Sequence, residues 1–173
     1  MHIRCEIDAQ CITTNPVDQT LLGGNGTGTQ NDVVVIGYNY NSNFNSYYYY
    51  VQSAFVDLRG IVDTNRHSFV INFESGNEQF IVDGIVKAQY TSTYTATTSS
   101  TTLHLFRRPN GNQSFYGRLY ALRIYDYLNG GKMIREFIPC YRKSDNVAGL
   151  WDKANKVFYT NAGSGTFIVG PDL

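Results

Sequence analysis

An excess of charge of either sign is the first thing this chain lacks. Over 173 residues, 14 Lys and Arg stand against 14 Asp and Glu, a formal net charge of zero. Binders of nucleic acid or of anionic membranes carry a basic stripe, so both classes of partner are excluded. No run approaches the ~18 apolar residues of a membrane-crossing helix. Met1-His2-Ile3-Arg4-Cys5-Glu6 lacks the apolar stretch of a secretory signal. The expectation is therefore synthesis in the cytoplasm without a signal peptide. Cysteine is scarce as well: there are three, an odd number that argues against a disulfide framework and for a reducing site of synthesis. Cys5 and Cys11 sit roughly 20 Å apart if their segment is extended, too far for a bridge, although either could meet Cys140.

What the chain does have is aromatic and β-branched. Tyr occurs 14 times and Phe 10 times, while only 16% of residues are charged. Such residues suit a pleated, half-buried surface, and a neutral, ring-rich exterior suits neutral hydroxyl-bearing or amide-bearing ligands. Strand-length runs recur between clusters of Gly, Asn, Asp, Ser and Pro, and no apolar period near 3.6 is sustained. Strands are predicted over Ile3 to Ile12, Asp32 to Tyr40, Tyr47 to Asp57, His67 to Phe73, Gln79 to Val82 and Ile85 to Tyr90. Further strands follow over Leu103 to Arg107, Phe115 to Tyr125, Ala148 to Asp152, Val157 to Thr160 and Thr166 to Val169. The nearest approach to a helical pattern is the short stretch Gly131 to Phe137. The fold class is all-β, a two-sheet antiparallel sandwich in one domain of residues 1–173.

Turn chemistry fixes some pairings. Glu74-Ser75-Gly76-Asn77 turns Ser68–Phe73 back as Glu78–Val82, and Asp83-Gly84 supplies the positive φ of a tight turn into Ile85. Lys153-Ala154-Asn155-Lys156 forms the polar tip of a hairpin between Leu150-Trp151-Asp152 and Val157-Phe158-Tyr159. In Phe115 to Tyr125, a bulge near Tyr120-Ala121 would bring Phe115, Gly117, Leu119, Leu122 and Ile124 to one side. Gly117 suits a place with no room for a Cβ, and Pro139, lacking a ladder donor, suits a strand end.

Three groups of residues, in this order, carry a resemblance. The first is Arg66-His67-Ser68-Phe69-Val70-Ile71-Asn72, followed by Phe80-Ile81-Val82-Asp83-Gly84. The second is Phe115-Tyr116-Gly117-Arg118-Leu119-Tyr120-Ala121-Leu122-Arg123-Ile124-Tyr125-Asp126. The third joins Arg135-Glu136-Phe137-Ile138-Pro139-Cys140-Tyr141-Arg142-Lys143, Gly149-Leu150-Trp151-Asp152, Asn155-Lys156-Val157-Phe158-Tyr159-Thr160-Asn161 and Gly163-Ser164-Gly165-Thr166-Phe167. Together they resemble the concanavalin A-like, laminin-G-like (LamG) jelly roll of bacteriophage tail and virion surface proteins, over roughly residues 60 to 170. The resemblance implies a place on a virion or cell surface. It also implies a strand before Met1, so that the chain is a fragment or a trimmed module.

The chemistry points to binding. Glucanases of the wider superfamily need two carboxylates flanking the scissile bond. The nearest match, Glu6-Ile7-Asp8, has Cys11 where the motif wants a third acid, and Glu74, Glu78 and Glu136 show no paired spacing. Gly163-Ser164-Gly165 is not a nucleophile elbow. His2, His67 and His104 lack ligand spacing. The resemblance leaves calcium open through Asp57, Asp63, Asp126, Asp145 and Asp152, with no metal site assigned and no cofactor expected. The binding candidates are Tyr38, Tyr40, Asn43, Tyr47 and Tyr49, in a stretch of Tyr, Asn and Ser where rings can stack on sugars and amides can reach hydroxyls. The competing reading is a strand whose tyrosines alternate between core and surface. Trp151 poses the same choice, and its place in the C-terminal hairpin favours the core. The expected function is non-catalytic, lectin-like recognition of a host glycan or envelope component. The alternatives are an architectural domain that packs against copies of itself, and a glycan-cleaving enzyme.

Overall fold

The computed structural model describes residues 3–11, 19–24, 34–41, 44–51, 54–59, 63–74, 76–91, 103–106, 115–126, 130–162 and 166–167; over 34–59 the description is of the backbone. The all-β sandwich class expected from the sequence is the one found: two antiparallel sheets carry the secondary structure, and no helix occurs among the described residues. None of these elements is thus a helix long and apolar enough to cross a membrane. In chain order the strands are β1 (Ile3–Cys11), β2 (Gln19–Gly24), β3 (Val34–Asn41), β4 (Phe44–Val51), β5 (Ala54–Arg59), β6 (Arg66–Phe73) and β7 (Glu78–Val82). They continue as β8 (Ile85–Tyr90), β9 (Leu103–Leu105), β10 (Gly117–Asp126), β11 (Lys132–Arg142), β12 (Val147–Asp152) and β13 (Val157–Tyr159). The larger sheet runs β13-β12-β11-β10-β1-β6-β7-β8, and the smaller runs β5-β4-β3-β2-β9. By their contacts the residues form two compact units. One comprises Gln10–Arg66 and Thr95–Arg118, the other His2–Ala9, His67–Tyr94 and Leu119–Leu173.

Burial in the second unit follows period two. Cys5, Ile7 and Ala9 of β1 are buried while Arg4, Glu6 and Asp8 between them are not. Phe69 and Ile71 of β6, Phe80 and Val82 of β7, and Leu122 and Ile124 of β10 complete the apolar set. Each fully buried side chain of this size stabilises by about 1.5–3 kcal/mol. The Asp83-Gly84 turn is as expected, with φ of 51° and 77°, and Asp83 accepts a hydrogen bond from the Ser68 amide at 2.9 Å. Its other carboxylate oxygen lies 2.7 Å from His67 Nδ1. The preceding turn is closed by the Asn77 amide donating to the Glu74 carbonyl at 2.8 Å, with Gly76 at φ 83°.

In the first unit, Gln19 is fully buried and serves as a clasp. Its Oε1 accepts from the Tyr116 amide at 2.8 Å and lies 3.6 Å from Cys11 Sγ, tying β2 to the ends of two other segments. All three cysteines are free, with Cys5 and Cys11 buried and Cys140 half-buried. Burial pushes the Cys5 thiol up to about 12. A thiolate-seeking dye at neutral pH is therefore expected to label the native chain about once, at Cys140, and all three thiols after unfolding. Counting the label by mass spectrometry checks this, and rapid native labelling of Cys5 would contradict the buried β1 face.

Three expectations change. Tyr47 to Asp57 is not one strand but β4 and β5, connected at residues 52–53. Gly131 to Phe137 is not helical but the start of β11. Pro139 does not end its strand: it pairs with Leu150 inside β11. The Glu136 carbonyl accepts from the amide of Lys153, the residue after β12, so strand alternation turns the nitrogen of Pro139 towards the β10 side. On that side the described ladder stops at Leu122 and Phe137, and no donor is required. The β10–β11 ladder also carries a register shift between Ile124 and Tyr125, where Ile134 is the extra residue.

Candidate functional site

The Tyr, Asn and Ser stretch folds into the β3–β4 hairpin because its alternating β-branched and aromatic residues favour extended backbone on either side of residues 42–43. The register sets Tyr38 opposite Tyr47, Ile36 opposite Tyr49 and Tyr40 opposite Asn45. Residues directly opposite one another, and residues two apart, share a sheet face. The hairpin therefore brings the positions Tyr38, Tyr40, Tyr47 and Tyr49 together on one face and assigns Tyr48 and Tyr50 to the other. Asn43 lies outside the described residues.

The composition of that face changes along the hairpin. Away from the tip it holds Val34, Ile36 and Val51, with Val56 of β5 opposite Tyr49 and Leu22 of β2 opposite Ile36. Towards the tip it holds Tyr38, Tyr40, Asn45 and Tyr47, with Leu58 opposite Tyr47 and Gln19 opposite Tyr38. Leu22 and Gln19 are both fully buried, so the β2 margin of this face belongs to the core of its unit. The tip end is where rings and amides concentrate.

A polar strip that sequence reading did not single out crosses the larger sheet, on the side opposite Cys5, Ile7 and Ala9. Glu6 accepts from Arg4 Nε at 2.9 Å and from the Tyr125 hydroxyl at 3.1 Å. Arg4 reaches Asn72 Oδ1 at 3.5 Å, and Asn72 donates to Gln79 Oε1 at 3.1 Å. Burial and the Glu6 hydrogen bond both hold the Tyr125 phenol above its ordinary pKa. The available signal was the alternation of Arg4, Glu6, Asp8 and Gln10 with buried neighbours.

The glutamates weighed for catalysis are spread among structural tasks. Glu74 is in its turn, where its Oε2 lies 3.3 Å from Asn77 Nδ2, and Glu78 opens β7 and is buried. Glu136 lies within β11 rather than near a loop. Burial alone would raise it, but hydrogen bonds from Arg123 and Lys153 hold its carboxyl below the usual carboxylate range. Of the aspartates, Asp63 caps Asn65, Asp145 pairs with Arg142, and Asp152 binds the β12–β13 turn. His67 is engaged by Asp83, His104 is half-buried in β9, and His2 and Ser164 lie outside the described residues. Among the described residues no three His, Cys, Asp or Glu gather as metal ligands. Trp151 is half-buried and alternates with buried Leu150 and Asp152, which take the inward positions in its place. It stands opposite Ile138 and Phe158. Compared with known proteins, the chain matches no family model and no curated sequence.

Proposed function

We propose that this chain is a non-catalytic recognition domain that binds a neutral glycan in the manner of a lectin, through Tyr38, Tyr40, Asn43, Tyr47 and Tyr49. Its setting in this reading is a phage tail or comparable surface structure that meets a host envelope. The observation that carries the reading is the β3–β4 register, which sets four tyrosine positions on one face, with Tyr38, Tyr40, Tyr47 and Asn45 towards the hairpin tip and Tyr49 next to them. Tyrosine offers a large stacking area at low conformational cost, and amides supply hydrogen bonds to hydroxyls. The neutral net charge is compatible with uncharged sugars. A glycan array on the purified chain tests it. Saturable binding is expected, and Tyr40→Ala or Tyr47→Ala should weaken it by roughly tenfold or more, about 1.4 kcal/mol per decade. Absence of any glycan ligand, or binding indifferent to both substitutions, counts against the reading. Release of reducing ends from a bound glycan would replace it with the enzymatic alternative.

A further inference from the structure

We propose that Asp83, in the turn between β7 and β8, is a site of spontaneous backbone isomerisation to isoaspartate, and that His67 sets the rate. The inference stands apart from the glycan reading. Asp83-Gly84 is the one Asp-Gly pair in the chain. An aspartate before glycine is open to attack by the next backbone nitrogen, because glycine places no side chain beside that nitrogen. Here the pair forms the whole loop between Val82 and Ile85, which stand opposite one another in the ladder, and both residues have positive φ. The Asp83 side chain is 48% exposed, and a Cβ built on Gly84 would meet nothing within 4 Å, so a ring closed there has room.

In the reaction the Gly84 nitrogen bonds to Cγ of Asp83. The Cγ–OH bond of the protonated carboxyl breaks, and the hydroxyl leaves as water with the proton of the Gly84 amide. Water then adds to the resulting succinimide at either carbonyl. Opening at Cγ restores aspartate, whereas opening at the main-chain carbonyl carbon sends the backbone through Cβ and Cγ, as isoaspartate. One water leaves and one enters, so the mass is unchanged and no other reagent is consumed.

The clasp on the carboxylate opposes ring closure. Its Oδ1 accepts from the Ser68 amide, and Oδ2 meets His67 Nδ1, which must be the donor because a carboxylate only accepts. The Asp83 amide donates to the Ser68 carbonyl at 2.9 Å, so the carboxylate stands where the next carbonyl of the β6–β7 ladder would be. Both oxygens are drawn towards β6, and losing one as water means giving up its donor. The Ser68 donor is backbone, which leaves the His67 side chain as the part that substitution can remove. Isomerisation lengthens the backbone of a two-residue loop and takes the carboxylate from Ser68, which loosens the terminal strand β8 from β7.

Ageing the full chain at neutral pH, with isoaspartate located by peptide mapping and fragmentation, tests this. Mapping separates Asp83 from Asn25, Asn110 and Asn129, which also precede glycine and reach isoaspartate by deamidation, with a change in mass. Isoaspartate should accumulate at Asp83 in the native chain, more slowly than in the same chain held in urea. His67→Phe keeps a ring and removes the donor, and should raise the native rate about tenfold, the factor for losing a hydrogen bond to a charged acceptor. His67→Asn removes the ring but offers Nδ2 in place of Nδ1, and should stay near the wild-type rate. Aged samples should lose amide protection in β8 before β1. No isoaspartate at Asp83 in either native or urea-held chain overturns the proposal. So do equal rates in the two, or a His67→Asn chain that isomerises faster than His67→Phe.

Discussion

Replacing Gly117 by alanine is expected to cost the fold about 3 kcal/mol, the upper part of the range for forcing extra volume into a filled site. The reason is local and steric. A Cβ built on Gly117 would overlap the carbonyl oxygen of Gln10 and the ring of Phe115. A ring can rotate away, but the Gln10 carbonyl belongs to β1, whose neighbours in the sheet are β10 and β6. Moving it disturbs backbone pairing on both sides. Gly149 makes an instructive comparison, because its added Cβ would meet the Tyr159 carbonyl and the Phe158 ring. Those residues belong to the short terminal strand β13, which can retreat, so Gly149→Ala should cost less, about 1–2 kcal/mol. Urea midpoints at constant slope give both values. Repeating Gly117→Ala in a Phe115→Ala background separates the two contacts. If the penalty survives, the backbone oxygen is the obstacle; if it vanishes, the ring was.

How much of this fold was legible depended on whether period two survived in each strand. In β1 it did: Cys5, Ile7, Ala9 and Cys11 alternate with polar residues, and the strand was readable nearly to its ends. The hairpins around Asp83-Gly84 and Lys153–Lys156 were readable because their turns demand particular residue types. In β11 the extra residue Ile134 shifts the phase, so that Met133, Ile134, Phe137 and Ile138 mimic the spacing of a short helix. In β2, Thr20, Leu21 and Leu22 are buried consecutively across a register shift, and the strand ends in two glycines, which read as loop. The division between β4 and β5 was hidden because Gln52-Ser53 contains none of Gly, Pro, Asn or Asp.

The candidate site was legible as composition and illegible as geometry. Tyr and Asn in one stretch announced rings and amides, but which tyrosines are neighbours depends on the pairing of β3 with β4. Shifting one strand by a single residue would exchange Tyr47 and Tyr49 for Tyr48 and Tyr50 on the face of Tyr38. The polar strip was harder still, since Arg4, Glu6, Asn72, Gln79 and Tyr125 come from four strands separated in sequence. Only the strand order brings them side by side.

Asp152→Ala should destabilise the chain by about 3–4 kcal/mol, and Asp152→Asn by clearly less. Asp152 is fully buried, and its carboxylate accepts from the Glu136 amide at 3.1 Å, the Ala154 amide at 3.1 Å and Asn155 Nδ2 at 2.8 Å. Arg135 Nε lies 3.7 Å away and supplies opposite charge. Alanine removes every acceptor at once, and three part-buried donors lose hydrogen bonds to a charged group, each worth about 1 kcal/mol or somewhat more. Asparagine keeps one oxygen of the same shape, so part of the set survives. Asn155 joins Asp152 to the bulge by donating also to the Ile134 carbonyl at 2.8 Å. The effects of Asp152→Ala and Asn155→Ala should therefore fall short of additivity by about 1 kcal/mol in a double-mutant cycle. Hydrogen exchange supplies a residue-level check, because the Glu136 and Ala154 amides should lose protection in Asp152→Ala ahead of those in β1 and β6. Equal losses for Ala and Asn, or full additivity with Asn155→Ala, would mean that packing of the hairpin rather than the carboxylate holds β12 and β13 to β11.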